Sequence, residues 1–135
     1  MTDSIIARQV ADFLQTRIPE APLMGIVLGS GLSEFSDRIK DKTPISYSII
    51  PHYPQPTVTG HVGEFIFGYL SNIPVLCARG RFHYYEGHPI ETVTLPIRVF
   101  KEIGCSAVII TNAAGCMNPH WNVGDLMVIE GHYDF

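Results

Sequence analysis

No stretch of this 135-residue sequence approaches the roughly 18 consecutive apolar residues that a bilayer-spanning helix requires, so a transmembrane helix is excluded. The first twenty residues also lack the apolar run of a secretory leader, because Asp3, Arg8, Asp12, Arg17 and Glu20 interrupt it. Charged residues make up only 16%, and the net charge is −4, which excludes a strong global attraction to nucleic acid or to an anionic membrane. A small anionic ligand is not excluded, since a few well-placed donors can create a local positive site in a negative protein. Cysteine is limited to Cys77, Cys105 and Cys116, an odd count with no metal-ligand spacing and with two members inside apolar runs. That usage favours reduced thiols and a cytoplasmic location over a disulfide framework. Cys116 has no base motif beside it, so a nucleophilic cysteine is not expected. Six histidines (His52, His61, His83, His88, His120, His132) are scattered without the helical His-x-x-x-His spacing, and no metal site is expected.

What is present is an apolar fraction of 46%, enough for one domain with a real core. Ile5, Ile6, Val10, Phe13, Leu14 and Ile18 recur at helical spacing after cap candidates Thr2, Asp3 and Ser4, and Pro19 and Pro22 close that helix. Residues 23–28 form a short apolar run stopping at Gly29-Ser30-Gly31, which reads as a buried strand entering a tight turn. Residues 33–42 are polar and read as a short helix and loop. Residues 64–70 and 73–79 flank Ser71-Asn72, a hairpin pattern. Pro89 opens a helix running to Ile103 before Gly104, with Pro96 predicting a kink. Residues 107–111 read as a buried strand and residues 126–130 as a last one. Strands alternating with helices around one hairpin predict an α/β fold: a mixed, twisted sheet with flanking helices, in a single domain over residues 1–135.

Three segments follow the C-terminal ends of predicted strands, where open α/β sheets bind ligands. Gly29-Ser30-Gly31 lets the backbone turn sharply with exposed N–H groups suited to phosphate. Taken alone it is more often a plain strand-to-helix turn, because both a Walker lysine and a full dinucleotide glycine pattern are missing. Gly80-Arg81-Phe82-His83-Tyr84-Tyr85-Glu86-Gly87 packs an arginine, a histidine and two tyrosines into one glycine-bracketed loop. Arg81 can grip an oxyanion through two N–H groups, and His83, two residues on along extended chain, points the same way. The bland alternative is a solvated arginine beside packed aromatics. Asn112-Ala113-Ala114-Gly115 presents small side chains and accessible amides, a pattern that by itself more often means tight packing.

Taken together these segments resemble the trimeric-class purine nucleoside phosphorylases. The motifs Leu28-Gly29-Ser30-Gly31-Leu32, Thr59-Gly60-His61, Gly80 through Gly87, Thr111 through Gly115, and Asn118-Pro119 through Val123-Gly124-Asp125 stand in the family's order. They cover nearly all of residues 20–132, and serine at position 30 favours the nucleoside phosphorylases over their methylthioadenosine relatives. The resemblance implies that Ser30, Arg81, His83 and the amide of Ala113 hold inorganic phosphate. It further implies that His61 lies at the ribose and phosphate mouth, Tyr85 packs against the ribose, and Glu86 orients the loop around His61. The implied reaction is reversible phosphorolysis of a purine nucleoside to free base and ribose 1-phosphate. Phosphate would be the co-substrate, with no further cofactor and no metal, in a homo-oligomer that is a trimer in the family.

The departures carry equal weight. Family chains are roughly twice as long, and their later half supplies the glutamate and asparagine that recognise the purine and help to expel it. Nothing here stands in for those residues, so the resemblance implies an incomplete nucleoside-phosphorylase fold, matching the N-terminal half. His132-Tyr133-Asp134-Phe135 also replaces the more usual His-Ile/Leu-Asn-Leu. Two readings therefore stand: a phosphorylase, poor as a catalyst in this short form, or a phosphate- or nucleoside-binding module derived from that family. An unrelated nucleotide-binding α/β protein does not explain five ordered motifs.

Overall fold

The computed structural model describes residues 3–29, 31–55 and 63–133. Helix α1 (Asp3–Gln15) is followed by strand β1 (Met24–Leu28), a 3-10 turn at Ser33–Arg38, and β2 (Lys40–Ser46). A second 3-10 turn (Tyr47–Ile49) precedes the hairpin of β3 (Glu64–Leu70) and β4 (Ile73–Arg79). A third (Tyr84–Glu86), helix α2 (Ile90–Ile103) and β5 (Ala107–Ile110) complete the elements. The strands form one mixed sheet in the order β2-β3-β4-β1-β5. β1 pairs in parallel with β4 on one side and β5 on the other, whereas β2, β3 and β4 run antiparallel. Three parallel strands therefore end side by side, and the segments that begin at Gly29, Gly80 and Thr111 each follow one of those ends.

Local chemistry accounts for most of these elements. Along α1 the side chains of Ala7, Val10, Ala11 and Leu14 fall on one stripe and are buried, largely against α2. β1 is paired on both sides and buried on both faces, which is why its sequence is a continuous apolar run rather than an alternation. The hairpin closes through Ser71 and Asn72, at φ 49° and 66°. Two successive left-handed residues match the twist of the flanking strands. α2 occupies the span predicted between Pro89 and Gly104, with Pro96 inside it.

Two predicted elements need correction. Residues 33–42 were expected to be a short helix and loop, but the 3-10 turn ends at Arg38 and β2 begins at Lys40. β2 is an outer strand with Pro44 in it, an irregular register between Lys40 and Thr43, and Asp41 at φ 50°. Charged and proline-bearing edges of this kind discourage pairing with other chains, and they also erase the apolar alternation that announces a strand. Residues 126–130, expected to be a strand, have no regular structure, and Leu126 and Val128 are almost fully exposed. An apolar run becomes a strand only where a ladder and a face to pack on are available, and the described residues offer this segment neither. The exposed apolar edge is β5, whose Val108, Ile109 and Ile110 are all open.

The core has two parts. Under α1 and α2 lie Val27, Phe65, Phe67, Leu76 and Ala78 from one sheet face, joined by Tyr47, Tyr53, Phe82, Phe100 and Ile103. On the other face Ile26, Leu28, Ile66, Val75 and Cys77 pack with Ile39. Burial pushes the Cys77 thiol up to about 12 and the Cys105 thiol up to about 11, and it also raises the hydroxyls of Tyr47 and Tyr53. The folded state thus keeps protons that the unfolded chain releases above the ordinary thiol value of 9.0. Stability is complete below that pH and falls as pH rises from 9 towards 12. Cys77 alone contributes a slope of about 1.4 kcal/mol per pH unit, and half-open Cys105 adds less. Urea midpoints between pH 8 and 11 should therefore decline, and a flat profile would contradict the buried-thiol picture. Among the described residues no helix is long and apolar enough to cross a membrane.

Candidate functional site

The site is assembled where β4, β1 and β5 end. Past Arg79 the chain turns at Gly80, whose φ of 97° is a left-handed value that a side chain would strain. The turn releases residues 81–83 as extended chain, and alternation sends Phe82 one way and Arg81 and His83 the other. Phe82 is buried, packed near the rings of Tyr47 and Tyr53 at 6.2 and 6.1 Å and edge-on to His88 at 5.2 Å. With Phe82 anchored in the core, its two neighbours are left at the surface of the crevice.

Arg81 reaches across to the end of β5, where one Nη1 group donates to the carbonyl of Thr111 at 3.1 Å. Its Nε is buried without a hydrogen-bond partner among the described residues. Thr111 in turn ties β5 to β1. Its Oγ1 donates to the Val27 carbonyl at 2.9 Å and accepts from the Gly29 N–H at 2.8 Å. Gly29 is required there by close approach, since a Cβ at that position would lie 2.6 Å from the Thr111 carbonyl oxygen. Arg81 and the Gly29 turn, far apart in sequence, are thus joined through one threonine.

The remainder of the loop is a 3-10 turn organised by Glu86. Its Oε2 accepts from the His83 N–H at 3.2 Å and lies 3.5 Å from His88 Nε2. The His83 ring stacks on Tyr85, with centroids 4.7 Å apart and planes 21° apart, while Tyr85 itself is 80% exposed. Ala113 lies exposed on the irregular segment after β5, two residues beyond Thr111. The structure therefore brings Arg81 to the Thr111 end of β5, and it brings His83, Tyr85 and Glu86 into one cluster. Ser30 and His61 lie outside the described residues. Among the described residues no group of three His, Cys, Asp or Glu side chains is arranged to hold a metal ion.

Sequence reasoning gave Thr111 no role of its own, although a threonine closing a buried strand next to an asparagine is a visible signal. It also passed over His88, two residues after Glu86. A separate shallow hollow lies beside the first turns of α2, lined by Ile6, His52, Pro54, Glu91, Thr92 and Leu95, and shares no residue with this cluster.

Residues 24–135 match the phosphorylase superfamily. A purine nucleoside phosphorylase of Anopheles gambiae is 46% identical over 125 residues, which cover 93% of this chain and 35% of that protein. Purine nucleoside phosphorylase 1 of Bacillus subtilis (strain 168) is 43% identical over 127 residues, covering 94% of this chain and 47% of the relative. In three dimensions the chain superposes with a TM-score of 0.85 and 44% identity on a purine nucleoside phosphorylase crystallised with ribose 1-phosphate, covering 93% of this chain and 46% of that one. This chain thus spans under half the length of each of these relatives.

Proposed function

Because this chain belongs to the phosphorylase superfamily, we propose that it carries the phosphate- and ribose-binding side of a purine nucleoside phosphorylase. The observation that carries the reading is Arg81. Its guanidinium is fixed to the end of β5 by one N–H, yet its Nε is buried and has no partner among the described residues. A buried donor on a permanent cation is costly unless an acceptor completes it, and a phosphate oxygen supplies one. Ser30, His83 and the Ala113 amide complete the anion's shell in this reading. Tyr85 and His61 face the ribose, and Glu86 holds the loop.

The chemistry follows from those residue types. Phosphate is itself the nucleophile, so the protein need supply none. Its residues hold the anion in line with the anomeric carbon while the glycosidic bond stretches towards an oxocarbenium-like state. The bound negative charge then stabilises the developing cation. The cycle needs inorganic phosphate as co-substrate and no further cofactor, in a cytoplasmic homo-oligomer, a trimer, in which residues 1–135 form one partial phosphorylase domain. A second reading, a binding module without turnover, is favoured by one fact: the chain covers under half of each relative.

Titration with inorganic phosphate against a chloride control at matched ionic strength tests the site. Phosphate at about 100 times its Kd should stabilise the fold by about 2.7 kcal/mol, which is several degrees in Tm. No phosphate-specific rise would remove both readings. Release of hypoxanthine from inosine and phosphate by the purified chain would decide for the enzyme over the binding module.

A further inference from the structure

His88 lies outside the residues assigned to phosphate or ribose, yet its side chain is mostly buried at the foot of the same loop, 14% exposed. Among the described residues its buried Nε2 makes no hydrogen bond, and Glu86 Oε2 lies 3.5 Å away. That same oxygen accepts the His83 N–H at 3.2 Å. One carboxylate oxygen therefore stands between the backbone of His83 and the ring of His88. Glu86 is itself well buried, its side chain 19% exposed, so few water molecules compete for that oxygen. The other wall of the His88 ring is Phe82, edge-on at 5.2 Å, the residue that separates Arg81 from His83.

We propose that His88 is a positioning residue for the anion-gripping loop: its buried, unsatisfied Nε2 takes the facing Glu86 Oε2 as acceptor when the loop tightens on an anion and, through Glu86, fixes the backbone of His83. The inference rests on the reading of Arg81 and His83 as phosphate ligands. A carboxylate held only by one amide keeps freedom about its own torsions, whereas a second donor on the same oxygen fixes both the carboxylate and the amide that it accepts. The pull is also directional: His88 follows the loop in sequence and opens onto α2, so it ties residues 83–86 to a long element instead of to another loop. Pure packing predicts something different, because a phenyl ring at position 88 would fill the same space against Phe82.

Phosphate affinity of the full chain and the NMR resonance of the His83 amide proton separate these accounts. His88→Phe should weaken phosphate binding about fivefold, whereas His88→Gln, which retains a donor, should stay within about twofold of wild type. In a Glu86→Ala background His88→Phe should add nothing, since the intermediary is gone. The His83 amide proton should shift upfield in His88→Phe and not in His88→Gln, with phosphate bound. If His88→Phe does not fold, His88→Asn, whose amide is too short to reach Glu86, should show the same amide shift. Arg81→Ala serves as the control. If it abolishes phosphate binding while His88→Phe binds like wild type, the positioning role of His88 is wrong and the phosphate reading stands. If Arg81→Ala binds phosphate like wild type, the phosphate reading is wrong, and an unmoved His83 amide in His88→Phe then overturns the positioning role as well.

Discussion

Replacing Arg81 with alanine is expected to abolish the phosphate-dependent rise in melting temperature, with phosphate Kd weakened by about 100-fold. The estimate comes from removing one member of a desolvated, hydrogen-bonded charge pair, which costs about 2–5 kcal/mol. The cost to the fold itself should be small by comparison. Among the described residues Arg81 makes one hydrogen bond to backbone, at the Thr111 carbonyl, and a bond of that kind contributes about 1 kcal/mol. The substitution should therefore separate ligand response from stability: a near-normal melt without phosphate and no increment with it. Arg81→Lys sharpens the test, because it returns the charge but not the planar fork. Partial recovery is expected from lysine. Should Arg81→Ala keep the full phosphate increment, the anion is held elsewhere and the assignment of this crevice fails.

That prediction depends on geometry that the sequence conveyed only in part. The order of motifs and the strand ends were readable, because glycine, small residues and apolar runs mark the turns that leave a parallel sheet. So was the hairpin, since Ser71-Asn72 interrupts two apolar runs by two residues and has a turn to suit. The partner of Arg81 was not readable. Nothing local in residues 80–87 says that the guanidinium meets the end of β5, because that meeting is set by the strand order β4-β1-β5. Thr111 shows the same limit: its hydroxyl bonds both Val27 and Gly29, contacts spanning more than eighty residues. β2 escaped for a different reason. Its charges, proline and bulge suit an outer edge, and those are the features that pattern reading counts against a strand. The error at residues 126–130 was the converse, an apolar pattern without a neighbouring ladder. Apolar periodicity reports what a segment would do beside a partner, and it is silent on whether the partner is there.

The largest loss of stability is expected from Phe65→Ala. Phe65 is fully buried, with ring centroids 5.1 Å from Tyr47, 5.2 Å from Tyr53 and 6.2 Å from Phe100. Truncating such a ring removes its transfer energy and leaves a cavity that the neighbours fill only partly, at a cost of about 3–5 kcal/mol. Domains of this size have about 5–15 kcal/mol in total, so the urea midpoint should fall by a large fraction. Ile49→Ala, at a side chain 54% exposed, should stay within about 0.5 kcal/mol. The consequence for the site follows from what else the two tyrosines touch. Tyr47 and Tyr53 also flank Phe82, and Phe82 is the anchor between Arg81 and His83. Relaxation of the tyrosines into the Phe65 cavity would draw support away from Phe82 and loosen the loop above it. Phosphate affinity measured on the folded fraction should therefore drop in Phe65→Ala and hold in Ile49→Ala. An unchanged midpoint in Phe65→Ala would mean that this aromatic cluster is not the core, and Phe82 would then have no fixed floor from which to present the arginine.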